Sequence, residues 1–196
     1  MLQHIIIPDG VKSIDIWTFY NCHSLTSIEM PNSIESIEYQ AFRFCYNLTN
    51  INLSDNITKI GEMSFQECKS LTSIDIPDGV VSIGYAAFCD CEGLTSINIP
   101  KGITKIEDST FSHCSSLTSI DIPDSVISIG DSAFCSCDSL EKVYCKPITP
   151  PSLGDNMFAY TPANFKGKIF VPKASVDAYK KADGWKEYAE YIFPEE

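Results

Sequence analysis

The chain has 196 residues, 44% of them hydrophobic, and a formal net charge of −12 from 26 acidic and 14 basic side chains. The composition is that of a globular protein, and the charge excludes nucleic acid and anionic lipid surfaces, which would be repelled. No run of about 18 apolar residues occurs, so no membrane insertion is expected, and no basic stretch followed by an apolar one marks a signal peptide.

From Leu2 onward the sequence repeats every 23 residues. Leu2, Leu25, Leu48, Leu71, Leu94, Leu117 and Leu140 form one column, and columns from Ile5 to Val143, Val11 to Val126, Ile14 to Ile129, Phe19 to Phe134 and Cys22 to Cys137 stay in step with it. A fixed period in this range predicts a solenoid, whose extended surface suits binding more than catalysis. The pattern starts at Leu2 with no polar cap ahead of it. The sequence therefore reads as the C-terminal part of a longer array, N-terminally truncated. Leu2, Ile5, Ile7 and the strand edge beside them are expected to be exposed and open to end-to-end self-association.

The fourth repeat, Leu71 to Gly93, shows the logic of one coil. Ile74-Asp75-Ile76 alternates apolar and polar, which predicts a short strand with Asp75 pointing out. Pro77-Asp78-Gly79 is turn chemistry, the glycine permitting a reversal. Val80 to Ile83 is β-branched and reads as a second extended run, after which Gly84 turns the chain. Phe88 is the aromatic wedge and Cys91 closes the coil. Leu71, Ile74, Ile76, Val80, Ile83, Phe88 and Cys91 are expected inside. One coil cannot bury enough to offset the entropy of ordering its backbone, so stability must come from stacking. The residue before each Phe is small (Thr18, Ala41, Ser64, Ala87, Thr110, Ala133), which predicts close approach of neighbouring coils there.

Of nine cysteines, six occupy one repeat position: Cys22, Cys45, Cys68, Cys91, Cys114 and Cys137. Stacked side chains in one column run parallel, a poor start for a disulfide, so a ladder of buried reduced thiols is expected. The extra residues Cys89 and Cys135 read as partly exposed free thiols. His23 beside Cys22 and His113 beside Cys114 invite a nucleophile reading, but sequence neighbours point apart. No glycine-rich phosphate loop and no metal-ligand spacing occurs. The chain is therefore expected to be no enzyme and to carry no catalytic residues, cofactor or metal.

A second period lies over the first. Repeats 4 and 6 share Leu-Thr-Ser-Ile-Asp-Ile-Pro-Asp and a Cys-x-Cys ending, while repeats 3 and 5 share Ile-Thr-Lys-Ile. The outward strand position runs Glu29, Asn52, Asp75, Asn98, Asp121, so carboxylates alternate with amides. At about 4.8 Å per coil, like charges then lie about 10 Å apart, near the Debye length.

The period stops after Val143. Residues 1–145 are read as the solenoid and 146–196 as a capping segment. Ile169-Phe170-Val171 is its final strand candidate, Ala174 to Ala182 a short helix, and Trp185, Tyr188 and Ile192 a cover for the last coil.

Repeats of the form L-T-S-I-x-I-P-x-S/G-V-x-S-I-G-x-x-A-F-x-x-C over residues 2–140 resemble the BspA-like leucine-rich repeat family. The segment with Pro150-Pro151, Lys168 to Pro172, Tyr179 and Trp185 is similar to the ending of its bacterial members. One departure is plain: the ninth repeat positions are Gly10, Ser33, Asn56, Gly79, Gly102 and Ser125, so no buried asparagine ladder is expected. The resemblance implies a mainly β, right-handed leucine-rich-repeat solenoid of about seven 23-residue coils with a small α/β C-terminal cap. It further implies a cell-surface or secreted protein that adheres to host extracellular-matrix proteins or to other cells. The alternative is a structural spacer that binds nothing and positions other domains. The expected protein-binding face is the outward strand set, Glu29, Asn52, Asp75, Asn98, Asp121 and Tyr144, flanked by Thr26, Ser27, Thr72, Ser73, Thr118, Ser119 and Lys142.

Overall fold

The computed structural model describes residues 3–158 and 165–195, so Leu2 lies outside the described residues. Each coil carries two short strands. The first ladder comprises β1 (His4–Ile6), β3 (Ser27–Glu29), β5 (Asn50–Asn52), β7 (Ser73–Ile74), β9 (Ser96–Ile97), β11 (Ser119–Ile122), β13 (Lys142–Cys145), β15 (Lys168–Val171) and β16 (Ile192–Pro194). The second comprises β2 (Ser13–Ile14), β4 (Ser36–Ile37), β6 (Lys59–Ile60), β8 (Ser82–Ile83), β10 (Lys105–Ile106), β12 (Ser128–Ile129) and β14 (Ser152–Leu153). Pairing is parallel and one repeat apart, as in Ile5↔Ile28↔Ile51 and Ile14↔Ile37↔Ile60. The result is a mostly parallel β-solenoid of about eight turns.

The third segment of each coil contains no strand yet is hydrogen-bonded as regularly as a sheet. Trp17, Phe19 and Asn21 donate their N–H groups to the carbonyls of Tyr39, Ala41 and Arg43 one coil on, at 3.2, 2.8 and 2.9 Å. Gln40, Phe42 and Phe44 repeat the pattern onto Glu62, Ser64 and Gln66. The backbone there alternates into the left-handed region without glycine: φ is 60° at Trp17, 54° at Gln40, 53° at Met63 and 51° at Ala86, and again 64° at Asn21 and 64° at Phe44. Such residues cost roughly 1–3 kcal/mol each and persist only where their surroundings hold them. Here the inter-coil bonds do so. The small residue before each Phe fits this geometry, since Ala41, Ser64, Ala87, Thr110 and Ala133 are buried and their carbonyls accept from the preceding coil.

The seven inward side chains of the fourth coil are all buried. The Phe column stacks continuously, with ring centroids 5.2 Å apart for Phe19–Phe42 and Phe42–Phe65, then 5.3, 5.7 and 5.4 Å through Phe134. It runs on through Phe158 at 6.0 Å to Phe165 at 4.5 Å. Coil geometry thus continues beyond residue 145: β12 pairs with β14, and Ser132 and Phe134 donate to the carbonyls of Asp155 and Met157.

The glycines expected at turns sit in them without a positive φ. Val80 N–H closes the Pro77 turn at 3.0 Å, with Gly79 inside it. Gly84 opens the next turn, its carbonyl accepting from Ala87 N–H at 3.2 Å, and a Cβ placed on it would lie 2.5 Å from the Glu62 backbone nitrogen, so glycine also admits the neighbouring coil.

At the N-terminal end, Ile7 is buried and Ile5 half-buried against the core, contrary to the expectation that both are exposed. Strand alternation explains it, because Ile6, between them, takes the outward position and is 66% exposed.

In the capping segment, β15 ends at Pro172 as expected. The helix is shorter than residues 174–182: a 3-10 turn over Lys173–Ser175 leads into α1 (Val176–Tyr179), and a second 3-10 stretch covers Trp185–Tyr191. Ile192 opens a strand, β16, paired with β15. Trp185 and Tyr179 are buried edge to face at 4.8 Å, and their polar ends are satisfied by the Pro151 carbonyl at 2.7 Å and the Pro147 carbonyl at 2.8 Å. No helix among the described residues is long and apolar enough to cross a membrane.

Candidate interaction face on the first strand ladder

Alternation along the first ladder sends Ile28, Ile51, Ile74, Ile97, Ile120 and Val143 inward and their successors outward. Register then aligns those successors: Ile6↔Glu29↔Asn52 at one end and Asp121↔Tyr144↔Phe170↔Phe193 at the other. Asp75 and Asn98 follow β7 and β9 directly and occupy the same position between those two sets. Glu29, Asn52, Asp75, Asn98 and Asp121 are exposed and Tyr144 is half-buried, so the six expected residues share one column.

The column also contains Phe170 and Phe193, which the period does not reveal. Tyr144 stacks on Phe170 at 5.1 Å, and Phe170 lies 6.4 Å from Phe193. Lys146 Nζ sits 5.1 Å from the Tyr144 ring centre and Lys168 Nζ 5.6 Å from that of Phe193. A signal was present: Lys168-Ile169-Phe170-Val171 repeats the pattern of Lys142-Val143-Tyr144-Cys145, displaced because the spacing between them exceeds one period. The face therefore changes character along its length, from carboxylates and amides to aromatic rings bordered by ammonium groups.

Several side chains on this face are already engaged. Asn98 clamps the preceding coil, its Oδ1 accepting from Ile76 N–H at 2.8 Å and its Nδ2 donating to the Ile76 carbonyl at 2.7 Å. The Thr26 hydroxyl, expected to face a partner, donates to the Gln3 carbonyl at 2.8 Å, and Thr49 and Thr95 do likewise one coil back. Glu29 lies 3.4 Å from His4 Nε2. Among the described residues, Asp75 and Asp121 have no ion-pair partner.

Ladder pairing lapses between β5 and β7 and between β9 and β11, although the strands stay adjacent. A shallow groove lies over each lapse. One, of 250 Å³, is lined by Asn50, Asn52, Ser73 and Asp75 among others; the second, of 470 Å³, by Ser73, Asp75, Ser96, Asn98, Ser119 and Asp121. Asp75 borders both.

The other sequence candidates are interior. All nine cysteines are free thiols, eight of them buried and Cys22 half-buried. Each column thiol from Cys45 onward donates to a Phe carbonyl of the preceding coil, at 3.1 to 3.3 Å. Burial pushes the Cys45 and Cys137 thiols up to about 12, far from nucleophilic. Cys89 and Cys135 are 8% and 2% exposed, not partly exposed as expected; Cys89 Sγ donates to Asp90 Oδ2 at 3.1 Å. Neither Cys–His neighbour pair meets: His113 is exposed while Cys114 is buried, and His23 stacks on Tyr46 at 4.6 Å.

A family model for the BspA type leucine rich repeat region matches in six copies, over residues 1–80 and 64–174. A leucine-rich repeat protein of T. pallidum is similar in structure, with a TM-score of 0.77 and 26% identity, over 91% of this chain and 82% of that one. A leucine-rich repeat protein from Bacteroides ovatus (TM-score 0.50, 22% identity, 86% of this chain and 63% of that one) shares the fold. So does the pneumococcal vaccine antigen PcpA (TM-score 0.54, 16% identity, 100% of this chain and 68% of that one). No curated protein matches the chain.

Proposed function

The chain belongs to the BspA-type leucine-rich repeat family, and from that premise we propose that it is a non-enzymatic protein-binding module of a cell-surface or secreted protein, docking its partner on the first strand face. One observation carries the reading: the outward column Glu29, Asn52, Asp75, Asn98, Asp121 and Tyr144 changes chemistry from coil to coil while the inward columns beneath it stay apolar. A solenoid that keeps its core constant while varying an exposed strand face supports recognition. Adhesion to a host extracellular-matrix protein is the partner class that the family suggests. The net charge of −12 favours basic surfaces on that partner and steers their approach.

The test is solid-phase binding of the chain to fibronectin, laminin and collagen, with and without Glu29→Lys, Asp75→Lys and Asp121→Lys combined. Binding by the parent and loss in the triple variant support the face. Equal binding by both moves the site elsewhere, and no binding to any matrix protein favours the spacer.

A further inference from the structure

Asp75 is the centre of a pattern with a period of two coils. Carboxylates stand at Glu29, Asp75 and Asp121, amides at the coils between, and the two grooves open on either side of Asp75 where ladder pairing lapses. Strands in a sheet are about 4.8 Å apart, so two coils span about 9.6 Å. Few peptide conformations present side chains on one side at that interval. A β-strand alternates faces, so its same-side spacing is about 6.8 Å. An α-helix returns to the same side after seven residues, about 10.5 Å, and drifts by about 2 Å over the two steps from Glu29 to Asp121. A polyproline II helix rises about 3.1 Å per residue with three residues per turn, giving about 9.3 Å.

We propose that the first strand face docks a polyproline II segment running along the solenoid axis, with a lysine or arginine at every third position facing Glu29, Asp75 and Asp121. This rests on the reading of that face as the docking surface. The polyproline II backbone has no internal hydrogen bonds, so its N–H and C=O groups are free to meet the hydroxyls and amides lining the grooves, Ser73, Ser96, Ser119, Asn50 and Asn52. Asn98 is not among these partners, because its amide is spent on Ile76. Asp75 and Asp121 stand ready for a cation, having no ion-pair partner among the described residues. The far end supplies a different surface. Tyr144, Phe170 and Phe193 form the kind of aromatic lane on which proline rings pack, while Lys168 repels a cation there and Lys146 is paired with Glu195. The segment therefore has its cationic part over the middle coils and a proline-rich, uncharged part over β13, β15 and β16.

Fluorescence anisotropy with the intact chain tests this. The probe is a labelled (Pro-Pro-Lys)n peptide. The controls carry equal numbers of lysines: (Pro-Pro-Pro-Lys)n, flexible (Gly-Gly-Lys)n, and an alanine-rich helix with lysine at every seventh position. The probe is expected to bind at least roughly tenfold more tightly than each control, about 1.4 kcal/mol, and Asp75→Lys is expected to erase that preference. Equal affinity for all four peptides, a preference for the helix, or a preference that survives Asp75→Lys overturns the inference. If the triple variant loses matrix-protein binding while the peptides are not distinguished, the polyproline assignment fails and the docking face stands.

Discussion

Along the Phe–Cys corner every coil does the same thing. Rings stack 5.2 to 5.7 Å apart from Phe19 to Phe134, column thiols donate to Phe carbonyls, and left-handed residues pass N–H groups to the next coil. Along the first strand face the same coils differ from their neighbours: ladder pairing lapses twice, carboxylates alternate with amides, and aromatic rings replace both beyond Asp121. The corner is where removal of a group leaves a cavity or an unsatisfied donor. The face is where an exchange of side chain leaves the fold nearly untouched, which is the condition for varying a binding surface independently of the scaffold.

Alkaline pH should strain the corner most, because it acts on several column thiols at once. Burial pushes the Cys45 and Cys137 thiols up to about 12, against an ordinary value of 9.0, and raises Cys68, Cys91 and Cys114 as well. Their folded-state pKa is raised, so the stability linked to them is fully present below about pH 9 and is lost as pH climbs towards 12. Urea-unfolding midpoints should fall steeply across that window, and less so in Cys45→Ala. A flat profile would separate the thiols from the core. Next, Phe88→Ala opens the middle of the ring column and is expected to cost about 3–5 kcal/mol in equilibrium unfolding; a loss below about 1 kcal/mol would mean that the stack is not the stabilising element.

The face itself is not uniform, and smaller effects should show it. Asn98→Ala removes both bonds to Ile76 and is expected to cost about 1–3 kcal/mol. Asp75→Lys, exposed and without an ion-pair partner among the described residues, should stay within about 0.5 kcal/mol of the parent. If the two cost the same, the distinction between clamping and free positions on this face is lost.

The solenoid, its inward columns and the outward column from Glu29 to Tyr144 were legible because each repeats at a constant interval and obeys strand alternation. The hydrogen-bonded third segment was not. Its left-handed positions hold Trp17, Gln40, Met63, Ala86, Ser109 and Ser132, five residue types in six coils, since the conformation is imposed by the neighbouring coil rather than by local preference. Phe170 and Phe193 were hidden by the break in period after Val143. Asn98 looked like a free surface amide because its role depends on a carbonyl and an N–H 22 residues away. Cys89 and Cys135 were placed too near solvent for a related reason: their burial depends on how the coils stack.

The most direct test of the division between corner and face is a charge-matched pair of variants in one binding measurement. The first carries Glu29→Lys, Asp75→Lys and Asp121→Lys. The second makes the same change of charge at Glu62, Asp138 and Asp177, which are exposed and are not members of that column. In solid-phase binding to fibronectin, laminin and collagen, the first variant should lose the binding that the proposed function expects of the parent and the second retain it, with both melting near the parent temperature. Equal loss in both would reduce recognition to net charge, and retention by the first would contradict the strand face as the docking surface.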